Sequence, residues 1–241
     1  MNIHTYKTVG AVFLGLAAFI ISARGQTIAS ADAYPANPSA ALLGKRYVSA
    51  DGYFERFRYA PLAPNTYGGV VAGNYPVFEY FDVGLSYRND TGNSAAMKIR
   101  DNVLEATGTG YYRLKGFDQS SMFSLLNGVT PFVTAAAGYS WNKVTASGID
   151  YNNNHPYYRV VAGVEVPVYG ALSVRASAAF SDYFETFNGF HSPALRGWSY
   201  DVSANYWITS RVGVSAGAVY DMGTASTADS IVYRAGVRIS F

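Results

Sequence analysis

From Lys45 to Phe241 the chain alternates apolar and polar residues with a period of two, in segments separated by clusters of Gly, Pro, Asn, Asp and Ser. The alternation is cleanest in Ile231 to Phe241, IVYRAGVRISF. There Ile231, Tyr233, Ala235, Val237, Ile239 and Phe241 fall on one face of an extended strand, and Val232, Arg234, Gly236, Arg238 and Ser240 on the other. The same pattern predicts strands over Val212 to Asp221, Trp198 to Ile208, Leu172 to Glu185, Tyr157 to Val168, Pro131 to Asn142, Asp101 to Arg113 and Tyr80 to Arg88. Tyr67 to Tyr75 and Arg46 to Tyr59 are noisier, and Gly52 reads as a bulge that switches faces. With both noisy segments the count is ten strands, and without them it is eight.

The connections alternate in length. Thr209-Ser210 and Tyr169-Gly170 are short, whereas Met222 to Ser230, Thr186 to Leu195 and Lys143 to His155 are longer and polar. Leu114 to Thr130 breaks this rule and carries SSMFSLLNG, which suits a helical turn. Short turns at one end and longer loops at the other, with an even strand count, describe a transmembrane barrel. In hydrocarbon every backbone N–H and C=O must be paired inside the protein, so a spanning sheet has to close on itself. The expected fold class is therefore all-β: a closed, antiparallel, up-and-down transmembrane β-barrel of ten strands, with eight as the alternative. A soluble ligand-binding barrel shares the period but points its apolar face inward. The loop asymmetry favours the membrane, as do Trp141, Trp198, Tyr220 and Tyr233 near strand ends.

Composition sharpens this picture without deciding it. The chain has 21 Tyr, 14 Phe and 24 Gly, but only 14% charged residues, a balance that favours strands. It has no cysteine, which excludes a disulfide framework and a Cys-ligated metal. A net charge of +2 gives no reason to expect nucleic acid as a partner. Residues 1–25 read as a signal peptide, with Lys7 before an apolar run from Val9 to Ile21 and Ala23-Arg24-Gly25 at the cleavage site. Residues 26–44, rich in Ala, Ser, Pro and Asn, read as a flexible periplasmic leader or a short segment entering the lumen, and residues 45–241 as the barrel.

FDVGLSYR at Phe81 to Arg88, TPFVTAAAGYSW at Thr130 to Trp141 and the closing YRAGVRISF resemble the small bacterial outer-membrane barrels of the OmpA-like and opacity-porin superfamily. The resemblance covers Lys45 to Phe241 and departs from well-known members, which have eight strands and in some cases a peptidoglycan-binding domain after the barrel. It implies a monomer surrounded by outer-membrane lipid and lipopolysaccharide and inserted by the barrel-assembly machinery. Tyr233, Val237, Ile239 and Phe241 would then carry the assembly signal.

Two of the three histidines lie beyond the signal peptide. His155 in DYNNNHP and His191 in NGFHSP are expected in outer loops, with Asp150, Asp182 and Glu185 nearby in sequence. No omptin protease motif can be laid on them, and the adjacent His191-Ser192 has poor geometry for a hydrolytic dyad. The expectation is a chain with no enzymatic activity and no cofactor. Asn89-Asp90-Thr91 fits a glycosylation triplet but reads as an ordinary turn.

The chemistry-bearing residues are those on the inner face. The lumen-lining set is Asp82, Arg88, Glu105, Arg113, Arg159, Glu165, Arg175, Asp201, Asp221, Arg234 and Arg238. Its nearly balanced signs suit internal ion pairs or a narrow charged constriction. The function expected is porin-like, passing at most ions and very small solutes. The alternative is a non-conducting structural or adhesive barrel whose loops, with Tyr151, Phe187 and Phe190, meet a surface ligand.

Overall fold

The structure, a computed structural model, describes residues 41–57, 64–115, 126–146, 148–183, 197–222 and 229–241. The ten strands are β1 (Tyr47–Phe57), β2 (Thr66–Phe78), β3 (Phe81–Asn93), β4 (Met97–Tyr111), β5 (Thr130–Ala146), β6 (Ile149–Tyr169), β7 (Leu172–Tyr183), β8 (Gly197–Trp207), β9 (Val212–Met222) and β10 (Ser230–Ser240). Each pairs antiparallel with its neighbour in sequence, and β1 pairs with β10 to close the barrel. The seam runs in unbroken register from Tyr47 opposite Ser240 to Phe57 opposite Ser230. Both noisy segments are true strands, so the count is ten.

Several boundaries differ from expectation. Gly52 is no bulge: it stands in regular register with Ala235 on one side and Gly69 on the other. The irregularities fall instead at Pro76/Phe78 and Pro167/Tyr169, beside short turns. Proline lacks the N–H that a ladder needs, so the ladder breaks there. Asn89-Asp90-Thr91 is not a turn but part of β3, and β4 starts at Met97. Lys143 to His155 is no irregular loop. β5 and β6 continue through it in register, and Gly148 turns the hairpin with φ +79°. His155 therefore lies within β6, opposite Ser140. The signal peptide, most of the leader, Thr186 to Leu195, His191 and most of SSMFSLLNG lie outside the described residues.

The two faces have opposite chemistry. Val48, Val71, Val83, Leu85, Leu104, Val133, Val160, Val214, Val237 and Ile239 are exposed on the outside. On β5 the outward face reads Pro131, Val133, Ala135, Ala137, Tyr139, Trp141. At about 3.4 Å per residue and a tilt near 40°, that stretch rises about 25 Å, the height of a bilayer's apolar band. Aromatic rings bound this band at both ends. Phe78 meets Phe81 and Tyr80 meets Tyr112 at the terminal end, where β1 begins and β10 ends, with ring centroids 6.5 and 5.7 Å apart. At the far end Tyr139 meets Trp141 and Phe180 meets Trp198, at 4.8 and 5.3 Å. This polarity is the inverse of a soluble barrel's and matches a barrel set in hydrocarbon.

Candidate functional site

The lumen is built from the inward positions of all ten strands, and its polar groups form three levels. At the terminal end, the segment before β1 turns into the mouth. Glu165, fully buried, accepts hydrogen bonds from the Leu42 and Leu43 backbone N–H groups at 2.6 and 3.2 Å and from the Ser173 hydroxyl at 3.1 Å. Asp82, 1% exposed, accepts from the Gly44 N–H and from the Asn74 side-chain amide, both at 2.9 Å. The same Asn74 amide donates to the Lys45 carbonyl at 2.9 Å, and Arg113 reaches the Leu43 carbonyl at 3.5 Å.

Apolar contact completes this strap. Leu43 packs into a cluster with Phe132, Val161 and Ala179, with Tyr111 at its edge. Arg175 lies over the Phe132 ring, 4.0 Å from its centroid, and Lys45 lies over Trp207 at 4.1 Å. Residues 41–45 are thus held in the terminal mouth by two buried carboxylates that accept from main-chain N–H groups. Charge-assisted bonds of this kind are about twice as strong as neutral ones.

In the middle level Arg238 pairs with Asp51 at 3.2 Å and also with the Ser215 hydroxyl, which donates to Asp51 at 2.9 Å. Arg234 pairs with Asp201. Thr109 and Thr134 share a hydrogen bond at 2.8 Å. Toward the far mouth Glu105 takes Arg159 and the Tyr157 hydroxyl, the latter at 2.8 Å. Arg88 bridges Asp101 at 2.8 Å and Asp90 at 3.4 Å, Tyr53 donates to Asp90, and Ser140 donates to Asp101 at 2.8 Å. Glu55 accepts from Thr66 and Ser230 at 2.8 and 2.7 Å, and Asp221 stands opposite Ser230 and Ser199.

Three of these contacts skip a strand directly over a glycine that is the register partner of both residues. Tyr53 reaches Asp90 across β2, where Gly68 is the register partner of both. Tyr157 reaches Glu105 across β5 over Gly138. Ser215 reaches Asp51 across β10 over Gly236. A Cβ on Gly138 would come within 2.5 Å of the Tyr157 ring. These glycines do more than ease curvature: they leave the floor on which bridging side chains lie.

Eight buried polar atoms have no protein partner among the described residues: Asp82 Oδ1, Asp90 Oδ1, Asn142 Oδ1, Arg159 Nε, Asp201 Oδ1, both amide atoms of Asn205, and Arg238 Nε. Groups of this kind are satisfied by water in native proteins. The interior thus combines polar and charged side chains, some without a protein partner among the described residues, with the apolar cluster around Leu43.

The alternation-based set omitted Asp51, Tyr53, Glu55, Asp90, Asp101 and Tyr157, which carry half of these contacts. For the β1 residues the signal was present, since Tyr47, Ser49, Asp51, Tyr53 and Glu55 share one face. It was masked because the opposite face carries Arg46 and Arg56 at its ends, with Arg46 lying over Tyr75 at 4.7 Å. At the far mouth Ser140 donates its hydroxyl to Asp101, and His155 is the register partner of Ser140 on β6. Asp182 lies on the outer side and accepts from Tyr158 at 3.3 Å.

No protein-family model matches the chain, and no curated protein matches its sequence. Among solved structures it is similar to Neisserial surface protein A, with 16% identity over 81% of this chain and 97% of that one and a TM-score of 0.43. It is similar to the translocator domain of the autotransporter NalP from Neisseria meningitidis, with 10% identity over 91% and 97% of the two chains and a TM-score of 0.47. Ail, the attachment invasion locus protein of Yersinia pestis, is similar at 10% identity over 82% and 97%, with a TM-score of 0.36.

Proposed function

We propose that this chain is an outer-membrane β-barrel of a Gram-negative bacterium, porin-like, with a narrow charged lumen that passes at most water, ions and very small solutes. The terminal end faces the periplasm and the far end the cell exterior. The observation that carries the reading is the inverted polarity: an apolar band bounded by aromatic rings surrounds an interior of Arg–carboxylate pairs and unpartnered polar atoms. Ten strands lie near the closed end of barrel sizes, so long Arg side chains and the strap at residues 41–45 fill much of the bore. On this reading the space left between them suits water and small ions rather than larger solutes.

Planar-bilayer recording of the mature protein beside Arg159→Ala and Arg175→Ala tests this. The expected result is small, brief conductance in the parent and larger conductance in both variants. Large, steady conductance in the parent overturns the obstructed lumen. Silence from all three favours a second reading, which has its own support in the length of the β5–β6 hairpin. β5 has 17 residues and β6 has 21, against 11 in β1, β8, β9 and β10. The hairpin stands above the apolar band and presents paired backbone rather than flexible loop, a form suited to a non-enzymatic surface barrel that meets a ligand outside the cell.

A further inference from the structure

The outer face of β4 and β5 changes character sharply at its far end. Register partners rise from Ala106/Ala137 to Leu104/Tyr139, then Asn102/Trp141, then Arg100/Lys143, then Lys98/Thr145. Above Trp141 the apolar band stops, and within one outward step the face becomes cationic. That step is two residues, about 7 Å along the strand and roughly 5 Å along the membrane normal. It places Arg100 and Lys143 in the headgroup layer if the Tyr139–Trp141 pair marks the edge of the hydrocarbon.

Lys98, Arg100, Lys143 and Thr145 line a recess of about 220 Å³. Arg100 and Lys143 are directly opposite each other, an arrangement of like charges that weakens a ladder unless an anion lies between them. Lys143 is held by Asp150 at 2.7 Å, and Thr145 donates to the same carboxylate at 2.7 Å. That leaves three cations against one carboxylate. Among the described residues neither Lys98 nor Arg100 has a carboxylate within ion-pair distance. The level below is fixed by Asn102, which accepts from the Tyr87 hydroxyl and the Asn89 amide, each at 2.8 Å.

We propose that Lys98, Arg100 and Lys143 form a binding site for the phosphate of a membrane lipid headgroup, with the lipid's acyl chains lying on Leu104, Ala106, Ala135 and Ala137 below. The position argues for a lipid over a soluble anion, because the recess stands one level above Trp141, where the outward apolar face that could take the tails begins. The guanidinium supplies a two-pronged contact to phosphate and the ammoniums supply point charges. This site rests on the outer-membrane reading above.

The test uses purified barrel in zwitterionic detergent, incubated with a phosphorylated glycolipid, its dephosphorylated form or phosphatidylcholine, with retained lipid counted by native mass spectrometry. The parent should retain the phosphorylated lipid over the other two. Arg100→Gln should lower retention about tenfold, the equivalent of one lost charge-assisted contact, and Lys98→Gln/Arg100→Gln should lower it further. Equal retention by parent and variants overturns the site, as does equal retention of all three lipids. Full competition by inorganic phosphate or by heparin in solution overturns the lipid assignment in favour of a soluble polyanion. Heat-modifiable gel migration, run on the same samples, reports whether a detergent-held barrel is present. A parent that is soluble and monomeric without detergent sinks the membrane reading itself, a result separate from any loss of lipid in the variants.

Discussion

Tyr157 and Glu105 lie on strands separated by β5, yet the tyrosine hydroxyl meets the carboxylate at 2.8 Å because the residue between them is Gly138. A side chain at Gly138 would occupy the place of the Tyr157 ring. Gly138→Val should therefore displace Tyr157 and cost about 1–3 kcal/mol, the range for overpacking a fitted site. Gly110→Ala is the control, since a Cβ there meets nothing within 4 Å. Urea unfolding in lipid vesicles, followed by gel mobility, should show a lowered midpoint for the first variant and little change for the second.

The strap at the terminal mouth depends on main-chain donors. Leu42→Pro removes the N–H that Glu165 accepts at 2.6 Å, whereas Leu42→Met keeps both the donor and the volume. Losing one such bond to a buried carboxylate costs about 1–3 kcal/mol. Hydrogen exchange at Gly44 and Lys45 should quicken in the proline variant and stay near the parent rate in the methionine variant.

Arg159 and Glu105 form a pair whose arginine is about one-third exposed, with a side-chain exposure of 36%, while the carboxylate is buried. Among the described residues Arg159→Ala leaves Glu105 with the Tyr157 hydroxyl alone, and a loss of about 1–3 kcal/mol is expected because the exposed arginine side softens the penalty. Adding Glu105→Ala should restore part of that loss. A double-mutant cycle on unfolding free energy measures the coupling, and strict additivity would contradict a direct pair.

In the β5–β6 hairpin, beyond the apolar band, hydrogen bonds from Lys143 and Thr145 hold the Asp150 carboxyl below its ordinary pKa. A carboxylate whose pKa is depressed on folding stabilises the fold above its unfolded pKa, and that contribution fades as pH falls through the folded value. The hairpin tip should accordingly open more often under acid. Exchange of the Thr145 amide, corrected for intrinsic rate, should lose protection below the usual carboxylate range, and Asp150→Asn should remove that dependence.

The period of two made the strand count and the inverted faces legible, because both are properties of single segments. The partners inside the lumen were not legible. Tyr53–Asp90 and Tyr157–Glu105 skip a strand, so they depend on register across three strands and on which intervening position is glycine. The far hairpin was missed for a different reason. Asn152, Asn153 and Asn154 carry weak strand propensity and read as loop, yet the ladder below them continues upward pair by pair and overrides local preference. Asn89-Asp90-Thr91 failed in the same way, with Asp90 buried under Tyr53 and Arg88. The strap lay in a segment without period, where only Leu42-Leu43 hinted at burial.

The seam between β1 and β10 joins Tyr47 to Ser240 and Phe57 to Ser230, stretches of chain nearly the whole barrel apart. Until the last strand has been made, the first has one unsatisfied edge and the growing sheet has another, each a row of backbone groups open to any passing strand. A contact this distant is slow to find by chance, since the chain must surrender most of its freedom before the closing pairs repay it. Synthesis order and closure order are thus opposed: the residues that emerge first wait longest for their partner, and during that wait the chain depends on being shielded from its own kind.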